Sequence, residues 1–251
     1  MKKYFKGFLM ALSMFTIIPL PHNIWDDEGA RHIMKFYPAI GVIIGFIWFG
    51  VYKALAFIEA PLMITTAIVM ITPYLITGML HLDGFMDVCD AILSRRDKEE
   101  KLRILKDSHT GAFAVISLAM LFIIDFAGVY TLLEANRNIV GLIFIPIISR
   151  SIIAYLLISK KSMKGSSLGA FFKQGTGIED KIILITAFIL ALLLTLPLME
   201  ARGIIMGILM LVVGLILVNK CEREFDGMSG DTAGFGLVMC EATGILFLAL
   251  I

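Results

Sequence analysis

Charge is what this chain has least of. Only 17% of its 251 residues are Asp, Glu, Lys or Arg, where a soluble domain carries about a quarter. Cysteine is sparse as well. Cys89, Cys221 and Cys240 fit neither a disulfide framework nor a CxxC metal spacing, and Cys89 reads as a small apolar residue. No 20–50-residue repeat and no low-complexity tract occurs, which excludes a solenoid. Net charge is +1 without a clustered basic face, so no nucleic-acid partner is expected.

Apolar residues fill the space that charge leaves. They make up 59% of the chain, and the mean hydropathy is +0.90. Runs long enough to cross a bilayer lie at 37–58, 61–82, 111–133, 139–158, 181–199, 203–219 and 235–251. A lipid-exposed backbone must satisfy its own hydrogen bonds, so these runs predict an all-α polytopic membrane protein. Residues 1–251 form one domain with seven transmembrane helices, or eight if the first apolar run also crosses. That run, 4–20, is short, ends at Pro19 and Pro21, and lacks a small-residue cleavage site. It is expected to form a short re-entrant or interfacial helix.

Four polar connections separate the runs: 22–36, 83–110, 159–180 and 220–234. The second holds six Lys/Arg and the third four, whereas the short connections hold Arg137, Arg202 or none. Positive charge marks the cytoplasmic side. All four long connections are therefore expected there, with the N-terminus inside and the C-terminus outside. Gly41 and Gly45, and Gly203 and Gly207, stand at GxxxG spacing, which predicts close helix packing.

The longest polar interval begins HLDGFMDVCDA at His81. Asp83, Asp87 and Asp90 follow at i, i+4 and i+7, which places them within roughly 60° of one helical face. Three carboxylates on one stripe repel unless solvated or neutralised, and hard oxygen ligands suit Mg²⁺, with Mn²⁺ as the alternative. All three are candidate metal ligands and catalytic groups, with Asp90 as third ligand or general base. Basic residues come next, Arg96 and Lys106 foremost, then Asp107. Acid followed by base predicts a phosphoryl-transfer site, in which these residues bind substrate phosphate. His81 is a candidate proton acceptor. Arg150 lies inside an apolar run, where an ionisable residue marks function by default, and its guanidinium suits a diphosphate. Gly230 and Asp231, in SGDTAG, admit close backbone approach to phosphate. Glu241 is placed to face a cavity, while Lys53 and Asp125 are expected to be structural.

HLDGFMDVCDA, a charged helix and KDSHTGAF together resemble the signature of the cobalamin synthase family, the adenosylcobinamide-GDP ribazoletransferases. FYPAIG at 36–41, PIISRSIIAYL at 146–156, GSSLGAFF at 165–172 and DGMSGDTAGFG at 226–236 resemble further segments in the family's order. The resemblance implies a Mg²⁺-dependent transfer from adenosylcobinamide-GDP to α-ribazole or its 5′-phosphate, with release of GMP. It also implies a function for the SGDTAG segment. Membrane lipid is an expected partner, and the resemblance leaves room for a homo-oligomer or a complex with other cobalamin-assembly enzymes. Two alternatives come from the residues. The acidic stripe is similar to that of CDP-alcohol phosphotransferases, but DGxxD stands where that family has DGxxAR. A cation transporter would use Asp83, Asp87, Asp125 and Glu241, but would hold them near the bilayer midplane.

Overall fold

Apolar runs of this length become helices because lipid offers no partner to a backbone N–H or C=O. The computed structural model describes residues 2–21 and 25–251, and among these the only non-helical pairing is an isolated parallel bridge between Ser162 and Met228. Near the start lie α1 (Lys2–Phe15) and the short α2 (Asp27–Ala30). A 3₁₀ turn at Ile33–Phe36 leads into α3 (Tyr37–Phe57), and α4 (Leu62–Ile76) and α5 (Leu80–Leu93) follow. After the small α6 (Lys98–Ile104) come α7 (Ala112–Glu134), α8 (Gly141–Ser159) and the short α9 (Ser167–Lys173). The chain closes with α10 (Ile178–Met199), α11 (Ala201–Phe225) and α12 (Gly230–Leu250).

Six helices are long and apolar enough to cross a membrane: α3 with its 3₁₀ lead-in, α7, α8, α10, α11 and α12. Counting the bent pair α4–α5 as one broken span makes seven. The fold is thus the expected all-α polytopic one. At 14 residues, α1 is too short to cross, and it packs on α2, the 3₁₀ turn and α3.

The expected span 61–82 needs correction. Its helix stops at Ile76, and the chain turns by 92° before α5. Gly78 and Met79 both take left-handed backbone angles, with φ of +60° and +61°, and the Thr77 hydroxyl donates back to the Pro73 and Tyr74 carbonyls. Two successive left-handed residues cannot continue a right-handed helix. α4 therefore runs along α3 and α7, while α5 leaves that direction and lies against α7 and α12. Residues 83–93, expected in a polar connection, belong to this largely buried helix. The connection 220–234 narrows to 226–229, because α11 continues to Phe225 and α12 begins at Gly230. Of 22–36, residues 22–24 lie outside those described.

The bundle centres on α8, which is buried along most of its length between α3, α10, α11 and α12. Gly41 and Gly45 make the α3 contact possible. A β-carbon on Gly41 would stand 2.8 Å from Ile147 Cα, and one on Gly45 would stand 2.9 Å from Ile143 Cα. Two aromatic polar groups at depth find acceptors. Trp48 Nε1 donates to the Val69 carbonyl at 2.6 Å, and Tyr74 donates to Asp125 at 2.6 Å. Lys53 lies over the Phe49 and Tyr52 rings.

The glycine contact predicts a stability difference. Gly41→Ala and Gly45→Ala force two helix backbones apart and should each cost about 1–3 kcal/mol, the usual penalty for overpacking. Gly50→Ala, on the same helix with nothing within 4 Å of its would-be β-carbon, should leave stability unchanged. Thermal melting in detergent separates the two outcomes, and equal melting of all three variants would contradict the packing argument.

Candidate active site

The acidic stripe acquires its surroundings through one backbone contact. Gly84, next to Asp83, sits against the first turn of α12, so that a β-carbon there would stand 2.7 Å from Asp231 Cα. One turn further along α12, a β-carbon on Gly234 would stand 3.1 Å from the His81 carbonyl oxygen. Two glycines facing each other let α5 and α12 touch by their main chains. Asp231 thereby joins Asp83 in lining one cavity and Asp87 in lining another.

The start of α12 is fixed locally. Ser229 Oγ accepts from Thr232 N at 3.2 Å, Thr232 Oγ1 accepts from Ser229 N at 2.8 Å, and Ser229 Oγ donates to Asp231 Oδ2 at 3.2 Å. This reciprocal cap explains why SGDT starts a helix. The preceding Gly227, at φ +149°, lies so close to the 162–163 backbone that a β-carbon would stand 2.5 Å from Met163 N. Hydrogen bonds from Met163 N to the Met228 carbonyl and from Met228 N to the Lys161 carbonyl tie the two segments together. Ion pairs brace them further. Lys101 meets Glu224 at 2.6 Å, Lys160 meets Glu222 at 2.7 Å, and Lys161 meets Asp226 at 2.9 Å.

Two cavities open on either side of Gly230 and Asp231. One, of about 390 Å³, is polar, and its lining includes Asp87, Lys106, Asp107, Ser108, Ser166 and Ser229. The other, of about 210 Å³, is mainly apolar and includes His81 and Asp83. Asp87 is partly buried on the wall of the polar cavity, which Asp231 also lines. His81 is buried with Nε2 2.6 Å from the Tyr37 hydroxyl. That nitrogen is engaged by Tyr37 and is not free for the proton-accepting role expected of it.

The remaining expected residues divide. Lys106, Asp107, Gly230 and Asp231 come together around the polar cavity. Asp90 points elsewhere. Its Oδ1 accepts from Ala114 N at 3.4 Å, and its carboxylate fills the space beside Gly111, where α7 starts. It caps α7 and lines neither cavity. Arg96 is exposed beyond the end of α5 and lines neither. Arg150, 1% exposed, is taken up by Glu241 at 2.6 Å and lies 5.6 Å behind the Tyr37 ring. It supports the His81–Tyr37 pair from the rear, and no diphosphate contact is open to it. Asp107 also accepts from His109, through its ring nitrogen at 2.7 Å and its backbone N–H at 3.0 Å.

Sequence reasoning missed Tyr37, Ser166 and Ser229 as residues of the site. The signals were present as FYPAIG, GSSLGAFF and SGDT, but only the fold shows that they converge. Among the described residues, no three His, Cys, Asp or Glu side chains form a ready-made metal-ligand set.

An acidic cluster beside a capped helix start, at one end of an apolar bundle, defines an integral membrane protein with its polar site at the bundle end. The chain belongs to the cobalamin-5-phosphate synthase family, whose model matches residues 7–249. A relative from Clostridium botulinum (strain Alaska E43 / Type E3), described as an adenosylcobinamide-GDP ribazoletransferase, is 53% identical over 245 residues, covering 98% of this chain and 97% of the relative. One from Clostridium perfringens (strain SM101 / Type A) with the same description is 49% identical over the full length of both. A more distant one from Lachnoclostridium phytofermentans is 30% identical over 95% of this chain and 91% of its own. No solved structure matches the chain.

Proposed function

We propose that this protein transfers the cobinamide phosphate of adenosylcobinamide-GDP to a ribose hydroxyl of α-ribazole or its 5′-phosphate, releasing GMP. Family membership over nearly the whole chain supports the reaction. The single structural observation that carries it is Asp231, which lines both a polar and an apolar cavity, with Asp87 on the wall of the first and Asp83 on that of the second. Two different substrates require two such compartments and one shared point. The family's activity replaces the CDP-alcohol and transporter alternatives, and the acids stand at one end of the bundle rather than at mid-depth.

The donor set fits a divalent cation held jointly with phosphate. Mg²⁺ keeps waters and binds through one or two carboxylates plus phosphate oxygens, so it does not require three protein ligands. When bound, Mg²⁺, or Mn²⁺ in its place, would neutralise charge on the diphosphate and on departing GMP. Asp83 and Asp87 would hold it.

The chain's own groups do the remaining work. Lys106, Ser166, Ser229 and the Gly230 backbone bind the diphosphate in the polar cavity, where the start of α12 favours negative charge. Asp231 borders both cavities and is placed to take the proton from the attacking hydroxyl. The new ribose O–P bond forms at the phosphorus nearest the corrinoid side chain, and the P–O bond to GMP breaks. Positioning and charge stabilisation supply most of the acceleration.

The test is GMP release by purified protein across a Mg²⁺ titration. Asp83→Asn and Asp87→Asn should each lose on the order of 10²-fold in rate, about 3 kcal/mol of transition-state stabilisation, and require more Mg²⁺. Asp90→Asn should keep its metal dependence, because its carboxylate caps α7. Wild-type rates and metal dependence in folded Asp83→Asn and Asp87→Asn would remove the acidic cluster from the mechanism.

The same reading places the site on the cytoplasmic side, where the Lys/Arg-rich connections lie. With the broken pair counted as one crossing, seven crossings put the other end of α12 outside. A reporter fused after Ile251 should read as extracytoplasmic, and a cytoplasmic reading would put the site on the wrong face.

A further inference from the structure

The end of the bundle opposite the acidic site carries a cavity that the transfer reaction does not use. α12 begins at Gly230, beside Asp231, and runs 21 residues to Leu250. That is about 30 Å, the thickness of a bilayer's hydrocarbon core, so its far end lies at the level of the other headgroup layer. There the end of α12, the connection from α7 to α8 and that from α10 to α11 enclose about 480 Å³, within the roughly 300–1,000 Å³ of small-molecule sites.

The short connections on this side hold two basic residues, Arg137 and Arg202. Although far apart in sequence, both line this one cavity, together with Asn136 and Glu200. None of the three charged side chains joins an ion pair among the described residues. Arg137 is half-buried, and its Nε has no hydrogen-bond partner. A guanidinium held partly out of water and left unpaired calls for an oxyanion, and its fork suits phosphate. The lining is fixed in place. Asn138 Nδ2 donates to the Leu198 carbonyl at 2.5 Å, and Asn138 Oδ1 accepts from Val140 N at 3.1 Å. Asn136 and Glu200 hold φ angles of +49° and +56°, and non-glycine residues in that strained region gather at functional sites.

The rest of the wall is apolar, with Phe247 and Leu198 in it. Leu198 also ends an exposed row on α10, where Leu190, Leu194 and Leu198 follow at helical spacing. We infer that this cavity holds the headgroup of a phospholipid of net negative charge, its phosphate bound by Arg137 and Arg202 and its acyl chain lying along the α10 row. Two guanidiniums against one carboxylate leave a single positive charge in excess. That matches phosphatidylglycerol and disfavours phosphatidylcholine, which brings a cation of its own. A free phosphate ion would satisfy the arginines but has no use for the apolar row.

The test is native mass spectrometry of delipidated protein in detergent, with equal amounts of phosphatidylglycerol and phosphatidylcholine of identical acyl chains competing for it. Wild-type protein should retain phosphatidylglycerol over phosphatidylcholine by roughly fivefold, the effect of one charge near a membrane surface. Arg202→Gln, at an exposed position, should bring the ratio close to one, and adding Arg137→Gln should take it below one. Glu200→Gln should move it the other way, about fivefold upward. Lys53 lies towards the same end of α3 but outside the cavity, so Lys53→Gln should keep the wild-type ratio. Without lipid, Arg202→Gln and Glu200→Gln should melt with the wild type, which establishes that they are folded. A wild-type ratio of one, an unchanged ratio in Arg202→Gln, or an equal fall in Lys53→Gln overturns the site. Inorganic phosphate in excess should leave the lipid bound, and displacement by it overturns the lipid assignment in favour of free phosphate.

Discussion

Main-chain contact between α5 and α12 is the constraint on which the rest of the site depends. Gly84 and Gly234 carry no side chain between the two helices, so Asp231 can stand beside a helix that already carries Asp83 and Asp87. Neither helix builds the acidic cluster alone. The 92° turn before α5 serves the same end. A straight continuation of α4 would carry these acids along its own axis, whereas the bend lays them against the starts of α12 and α7. Asp90, one turn past Asp87, then meets Gly111 and Ala114 and anchors the far end of α5.

Charges inside the bundle hold this arrangement from behind. Arg150 and Glu241 are both almost completely buried, joined at 2.6 Å, with Ser149 donating to the same Glu241 oxygen at 2.9 Å. Such a pair contributes little net stability against an apolar replacement, but losing one partner alone is severe. Its position explains its presence: the guanidinium lies behind Tyr37, and Tyr37 holds His81. At the polar end, the lysine pairs to Glu222, Glu224 and Asp226 fasten the connecting segments over the start of α12.

Much of this was legible from residue order. Apolar length located six of the crossings, GxxxG spacing marked Gly41 and Gly45 as packing positions, and i, i+4 spacing put Asp83 and Asp87 on one face. Other features were hidden for physical reasons. The bend at Thr77–Met79 interrupts an apolar run whose hydropathy continues across it, and only Gly78 hinted at a left-handed turn. Asp90 matched the stripe by spacing, yet its carboxylate is taken by a helix start 24 residues away. Arg150 carried the expected mark of function at depth, but its counter-ion stands 91 residues further on. The convergence of Tyr37, Ser166 and Ser229 depends on tertiary packing, which local pattern does not record.

The account turns on whether the α5–α12 approach positions the acids, since all three carboxylates could be present and still stand apart. Gly84→Ala isolates that question, because it adds one methyl group and removes no polar atom. The added β-carbon would stand 2.7 Å from Asp231 Cα, so the helices must shift. A displacement of about 1 Å is enough to cost on the order of 10²-fold in a reaction that relies on positioning. GMP release by folded, detergent-purified Gly84→Ala protein at saturating Mg²⁺ should fall by about that factor, with Asp83, Asp87 and Asp231 all intact. Turnover at the wild-type rate would contradict the claim that this contact assembles the site.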